Sequence, residues 1–453
     1  MTTYRPRMAA TLTVPLLGTR AQRIRQEAST DSFSLAVRPK RISIERNDHN
    51  QADSCTLVAD WYEVGLDARM LDNACVEIHI VNADENEQWT PSHDTCRFIG
   101  LTKEITSSRD SDNAAEVSIE CIDYTTLFLE AKPFGSSGIP KYDQTLDAAW
   151  RTIVSQTPGA GILAGALVKE GFDKWPVLGD AVSERFKRLA YIPTEPDTDS
   201  WAVWQQCMRM TGLISYVKLD KVIVTTATNL YTESDSPILM WGSNIAEWSE
   251  TRNSELAKTG VAVTSFDALT GTSLEAFWKP IGDKDTQHKR STAKKILSSE
   301  KIEKREKRDW FTVSGVTEQA ALDALAKRIY EERSHQELEG HISTAEMSVA
   351  TQSGADFDLL SIAAGDSVQV IVDPQHRQLL STEPDPVGYL IRQGYSEDAA
   401  HGIVSNMKEF ARLESKFLVK SATIELASTE EGGSFSIEIG YCNSIKPDGS
   451  AVT

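Results

Sequence analysis

Long apolar runs are missing from this chain of 453 residues. The longest, such as Gly159 to Val168, falls short of the ~18 residues that a membrane-spanning helix needs, so no membrane segment is expected. Near the amino terminus, Ala9 to Leu17 is broken by Thr11 and Thr13 and followed by Arg20, Arg23 and Arg25. That is the wrong order of charge for a secretory signal, and a chain made and kept in a cytosol is expected. Cysteine is sparse: Cys55, Cys75, Cys96, Cys121, Cys207 and Cys442, with no CxxC pair. A zinc site and a disulfide framework therefore lack support, and six reduced, mostly buried thiols are expected. Gly (26) and Pro (16) are too few for a collagen-like or low-complexity chain. Positive charge is short: 47 Lys and Arg against 66 Asp and Glu leave −19. That balance argues against direct nucleic-acid recognition and for a protein whose copies repel unless specific contacts join them.

Catalytic signatures are also lacking. There is no HExxH, no GxxxxGK[ST] and no GxSxG. Gly159-Ala-Gly161-Ile-Leu-Ala-Gly165 has its third glycine one residue too far for a dinucleotide loop. It also follows a helical pattern, so small-residue packing explains it better. Gly365-Asp366-Ser367 precedes an alternating strand rather than a helix and reads as a turn. Asp110-Ser-Asp112-Asn113 lacks the glycine and closing glutamate of a calcium loop. The eight histidines are scattered, and His335 and His341, six apart, do not share a helical face. Trp201, Trp204, Trp241 and Trp248 have the chemistry to stack on sugars, but core packing is expected of them. No catalytic, cofactor-binding or metal-ligating residue is assigned, and neither enzymatic activity nor a cofactor is expected. Carboxylates are plentiful enough for a pair to meet in space without a sequence mark.

What the sequence does carry is period two. Residues 1–30 read as a basic arm, with Arg5, Arg7, Arg20, Arg23 and Arg25 against Glu27. From Phe33 on, alternation marks antiparallel strands at Phe33–Val37, Ile42–Ile44, Ser54–Trp61, Cys75–Val81, Arg97–Ile105 and Ala115–Ile122. Asp72-Asn73 is turn chemistry, and Gly100 suggests a bulge. This places a first small β-barrel at 31–133. A small α+β domain follows at 134–235. It has a helix over Asp143–Val154, a second helix from Ser200 as its cap to Gly212, and a hairpin across Asp220-Lys221. A second β-rich domain occupies 236–453 and contains a charged insertion at 282–308. Its strands are read at Leu256–Ser265, Thr272–Trp278, Asp309–Val313, Ile342–Val349, Gly365–Val372, Tyr389–Tyr395, Phe417–Leu426 and Ser434–Tyr441. A helix over Thr317–Glu339 buries Leu322, Leu325, Ile329 and Tyr330, and Ser396–Ala411 is an inserted helix or loop. The fold class is mainly β with α+β insertions: two small β-barrel domains separated by a small α+β domain.

Two blocks resemble a known family. Arg97-Phe-Ile-Gly-Leu-Thr-Lys-Glu-Ile105 followed by Val117-Ser-Ile-Glu-Cys-Ile-Asp-Tyr124 resembles the "F-x-G-x-v" and "v-x-i-x-c-x-D" strands of phage tail hub proteins. Ala257–Ser265, Leu274–Trp278, Thr317–Gly340 and the "G-D-x-V-x-V" stretch Gly365–Val370 resemble that family's second barrel. These are the late-control D and baseplate hub proteins of contractile tails and the hub part of type VI secretion spikes. No glycine-rich β-helix repeat follows, which implies that any spike is a separate chain. The resemblance implies two related barrels per chain and a homotrimer that adapts a hexameric tail tube to a trimeric central spike. The implied partners are the tail tube, central spike, tape-measure and baseplate wedge proteins. The implied location is the virion tail, after assembly in the host bacterial cytoplasm. The alternative is a tail-associated cell-wall hydrolase with an unmarked carboxylate pair.

Overall fold

A computed structural model describes residues 6–15, 32–47, 51–67, 70–82, 89–109, 115–132, 146–157, 159–169, 198–211, 213–225, 236–253, 260–267, 271–278 and 308–314. It further describes residues 319, 322–323, 325–327, 329–330, 338–351, 353–372, 384–413, 417–428 and 433–443. The first half holds strands β1 (Pro6–Pro15), β2 (Ser32–Val37), β3 (Pro39–Arg46) and β4 (Ser54–Asp60), then the short helix α1 (Trp61–Val64). Strands β5 (Cys75–Asn82), β6 (Cys96–Arg109) and β7 (Ala115–Asp123) and helix α2 (Thr125–Glu130) complete it. Alternation decides which face is inside. Cys55, Leu57 and Ala59 of β4, Val76, Ile78 and Ile80 of β5, and Val117, Ile119 and Cys121 of β7 are all buried.

The middle of the chain contributes α3 (Leu146–Gln156), β8 (Leu167–Lys169), α4 (Ser200–Thr211), β9 (Ile214–Lys218) and β10 (Lys221–Thr225). A core of aromatic rings sits here. Trp150 lies 5.3 Å from Phe128 and 4.9 Å from Trp204, centroid to centroid. Trp150 donates its indole N–H to the Leu163 carbonyl at 3.1 Å and Trp204 donates to Ser215 Oγ at 2.9 Å. The helix cap is Asp199, which accepts from the Ala202 amide at 2.7 Å. Ser200, expected as the cap, is the first helical residue, and its hydroxyl accepts from Thr157 instead.

The second half begins with β11 (Ile238–Met240), β12 (Glu247–Arg252), β13 (Gly260–Asp267), β14 (Thr272–Trp278) and β15 (Arg308–Ser314). It continues with β16 (Leu338–Thr344), β17 (Ser348–Ala350), β18 (Asp356–Asp358) and β19 (Ser367–Ile371). Helices α5 (Pro386–Arg392) and α6 (Glu397–Leu413) and strands β20 (Phe417–Ala427) and β21 (Phe435–Asn443) close it. Strands β14, β13 and β15 form a separate sheet whose inner face, with Val261, Val263 and Ala276, packs on the aromatic core. Leu322, Leu325, Ile329 and Tyr330 of the expected helix join the same core.

The main sheet runs β12-β16-β21-β20-β3-β4-β7-β6-β5-β1-β2, so strands of both halves share one hydrogen-bonded surface. The join is the antiparallel β3–β20 pair, with Ile44 opposite Ile424. The chain is thus mainly β with α+β insertions, as expected. Further local expectations fail. Pro6–Pro15, assigned to a basic arm, is an internal strand between β5 and β2, because Ala10, Leu12 and Val14 alternate into the core. The rest of residues 1–30 lies outside the described residues. Tyr389–Tyr395, expected as a strand, belongs largely to α5: Asp385 caps it by accepting from the Gly388 amide, and Pro386 opens its first turn. Leu338 and Glu339, expected at a helix end, pair in β16. The register shifts in β6 fall at Arg97, against β5, and at Lys103, against β7, and not at Gly100. Gly100 is there for close approach, since a Cβ would collide with the Phe98 ring and the Ile122 carbonyl.

Candidate functional site

Arg46 ends β3, the strand that joins the two halves, and it is 7% exposed. A buried guanidinium must spend its donors on acceptors that the fold supplies. Arg46 Nη1 donates to the Leu360 carbonyl at 2.9 Å and to the Ile362 carbonyl, and Nη2 donates to the Arg97 carbonyl at 2.8 Å. One side chain therefore ties β3 and β6 to a segment more than 300 residues away from Arg46 itself. Arg97 continues the link, with Nη2 at 2.5 Å from Asp358 Oδ2.

Three carboxylates sit at this junction, Asp123 buried and Asp53 and Asp366 half-buried. Asp53 accepts from the Asn47 amide at 2.9 Å. Asp123 accepts from the Thr125 amide at 2.9 Å and from the Asp53 amide at 3.3 Å. Asp366 accepts from the Ala363 amide at 2.8 Å, and its own carbonyl accepts from the Val419 amide. Burial pushes Asp53 up to about 6, offset in part by Asn47 and Arg46. Burial and the like charge of Asp53 push Asp123 up to about 7. Asp366 is raised by burial and drawn down by Lys218 and Arg46. Arg46 itself is lowered, chiefly by burial.

A cavity of about 190 Å³ opens at this junction. Arg46, Asp53, Asp123 and Arg97 of the first half, Tyr216 to Leu219 of the middle region, and Ser361 and Ala363 of the second half line it. His93 stands at its rim, 3.9 Å from Asp220. Three parts of the chain thus meet at one polar cavity. The carboxylates there are engaged by backbone N–H groups, so the arrangement works as a clamp on the chain's own turns.

Among the described residues no group of three His, Cys, Asp or Glu side chains has metal-binding geometry. Within Gly159 to Gly165, Ala160–Leu163 forms a 3₁₀ turn capped by Gly159 at φ 81°, and the element before it is the helix α3. Ser367 lies in β19 with its hydroxyl 2.5 Å from Ser236 Oγ. Residues 110–114 lie outside the described residues. Trp201 and Trp204 are core residues, but Trp241 and Trp248 are 46% and 37% exposed, contrary to expectation. Sequence reading did not single out Arg46 or Asp53. Asp123 and Asp366, however, are the aspartates of the "v-x-i-x-c-x-D" and "G-D-x-V-x-V" motifs, and the fold brings both to the same junction.

No protein-family model matches the chain, and no curated protein matches it in sequence. Solved structures do match. The tail protein from Neisseria meningitidis MC58 superposes with a TM-score of 0.55 at 13% identity, over 97% of this chain and 96% of its own. The 43 kDa tail protein of prophage MuSo2 from Shewanella oneidensis gives 0.55 at 11% identity, over 98% and 99%. The β-rich architecture is therefore one found in phage tail proteins.

Proposed function

We propose that this chain is a non-enzymatic structural protein of a phage tail and forms the hub of the baseplate. The observation that carries the reading is the fold likeness to two tail proteins along nearly the whole chain. In this reading residues 31–133 and 236–453 are the two related barrel units, and 134–235 is the piece between them. Three copies present six units in a ring, which adapts a hexameric tail tube to a trimeric central spike. Cyclic closure also ends assembly at three and prevents open filaments. The tape-measure and wedge proteins are the remaining neighbours, and the protein resides in the virion after assembly in the host bacterial cytoplasm. A tail-associated hydrolase would need a carboxylate pair that reaches substrate. Asp53 and Asp123 are a pair that the fold brings together, but Asp123 is buried, Asp53 is half-buried and both are bonded to backbone amides.

The test is light scattering and negative-stain imaging of the full chain with tube and spike proteins supplied, together with a peptidoglycan-release assay. Rings with threefold or pseudo-sixfold symmetry and no turnover above a denatured control are expected. A protein that stays monomeric with every tail partner overturns the hub reading. Turnover abolished by substituting one Asp or Glu overturns the non-enzymatic one.

A further inference from the structure

A sheet covered on one side normally turns a polar face to water. The β14-β13-β15 sheet does not. Its inner face, with Val261, Val263 and Ala276, is taken up by the aromatic core. Its outer face carries large rings as well. Phe277 of β14 and Trp310 of β15 both stand opposite Ala262 of β13, so the three share one row on one face. Two rows along, Phe266 of β13 points to the same side, opposite Ser273. Trp310 is 63%, Phe266 56% and Phe277 43% exposed. Together the rings leave roughly 350 Å² of aromatic surface in water. Apolar patches of that size mark interaction surfaces.

The rest of the face is suited to being covered. Thr264 and Thr312 are opposite each other in the middle row. Thr264 donates to the Phe311 carbonyl at 3.4 Å, and its oxygen lies 3.3 Å from Thr312 Oγ1. Both hydroxyls therefore keep a partner when water leaves, which removes the main penalty of burying them. The Phe277 ring lies over Gly260, where a Cβ would meet it at 2.8 Å. A ring held in place loses little freedom on association.

Charge selects the partner. The chain carries −19, so copies repel across most of their surface. Between the rings of this face, Glu275 on the edge strand β14 is the charge among the described residues. A nucleic acid would need cations here, and a basic protein would be drawn to carboxylates instead. A charge-poor aromatic face is where two acidic copies approach at least electrostatic cost. The rings supply a little under half of the ~800 Å² that each partner buries in a stable contact, and the edge strands β14 and β15 extend the surface on either side.

We propose that the outer face of the β14-β13-β15 sheet is the surface by which one copy of this chain packs on the next. The inference rests on the reading of the chain as a ring of copies. A cyclic trimer has heterologous contacts, so the surface met on the neighbour is a different one.

Sedimentation velocity of the full chain over a range of concentrations tests this, with wild type compared with Phe266→Ser, Trp310→Ser and the double variant. Wild type is expected to form trimers, and each ring removed should weaken assembly at least about 30-fold. Tyr62→Ser, at an exposed ring on α1, should leave assembly unchanged. Trimers undiminished in the double variant overturn this contact and leave the hub reading standing. A wild-type dimer dispersed by the same variants supports the contact and overturns the hub reading. Should the variants fail to fold, hydroxyl-radical footprinting of the wild-type chain decides. Protection of Trp310 and Phe266 that grows with assembly supports the contact. Equal labelling of monomer and assembly overturns it, as does protection that appears only when tube or spike protein is added.

Discussion

Tyr441 lies directly over Gly340 across the β16–β21 ladder, where the two residues are register partners. A Cβ at position 340 would strike the Tyr441 ring. The same ring packs 4.8 Å from Phe417, and its hydroxyl accepts from Trp248 Nε1 at 2.8 Å. A glycine thus makes room for an aromatic that links β12, β20 and β21. Gly340→Ala is expected to destabilise the fold by about 1–3 kcal/mol through overpacking. Tyr441→Phe, which keeps the ring and removes the hydroxyl, should cost only about 1 kcal/mol. Urea unfolding of both variants checks the order, and an Ala variant as stable as wild type would refute the close approach.

Arg46 offers a second test. Its three backbone acceptors lie on β6 and on the Leu360–Ile362 turn, which the Arg97–Asp358 pair also links. Arg46→Ala leaves three carbonyls without their donor and removes the positive charge beside Asp53 and Asp366, and a loss of about 3–5 kcal/mol is expected. Arg46→Lys keeps the charge but cannot reproduce the planar fork, so only partial recovery should follow. Equilibrium denaturation gives both numbers.

The aromatic core should respond to truncation in the usual way for a filled interior. Trp150 is 1% exposed and touches Phe128 and Trp204. Trp150→Ala should cost about 3–5 kcal/mol, and Trp150→Phe distinctly less. The exposed Trp310, at 63%, is the control: Trp310→Ala should stay within about 0.5 kcal/mol of wild type.

All six cysteines are free, and five are buried. Burial raises the Cys55, Cys75 and Cys121 thiols above their ordinary value and Cys96 to about 11. The reactive thiolate is therefore scarce at neutral pH. Alkylation of the native chain should be slow, with Cys75 modified first. Under denaturing, non-reducing conditions intact mass should show six adducts, and fewer would reveal disulfides.

The strands and helices were legible where a local period carries the information. Phe33–Val37, Cys75–Val81, Ala115–Ile122, the α3 stripe of Ala149, Trp150 and Ile153, and the β9–β10 hairpin can each be read from neighbours a few residues apart. Alternation decides faces because side chains in a strand point to opposite sides. It does not choose partners. That β3 pairs with β20, and that Pro6–Pro15 is an internal strand, depends on which edges meet after the chain has crossed hundreds of residues. The junction shows the same division. The strand end Cys121-Ile122-Asp123 and the turn Gly365-Asp366 stood out in the sequence, yet nothing near either names the other or points to Arg46. Only tertiary packing removes water from all of them at once, and that shared desolvation turns ordinary surface-type residues into one coupled site.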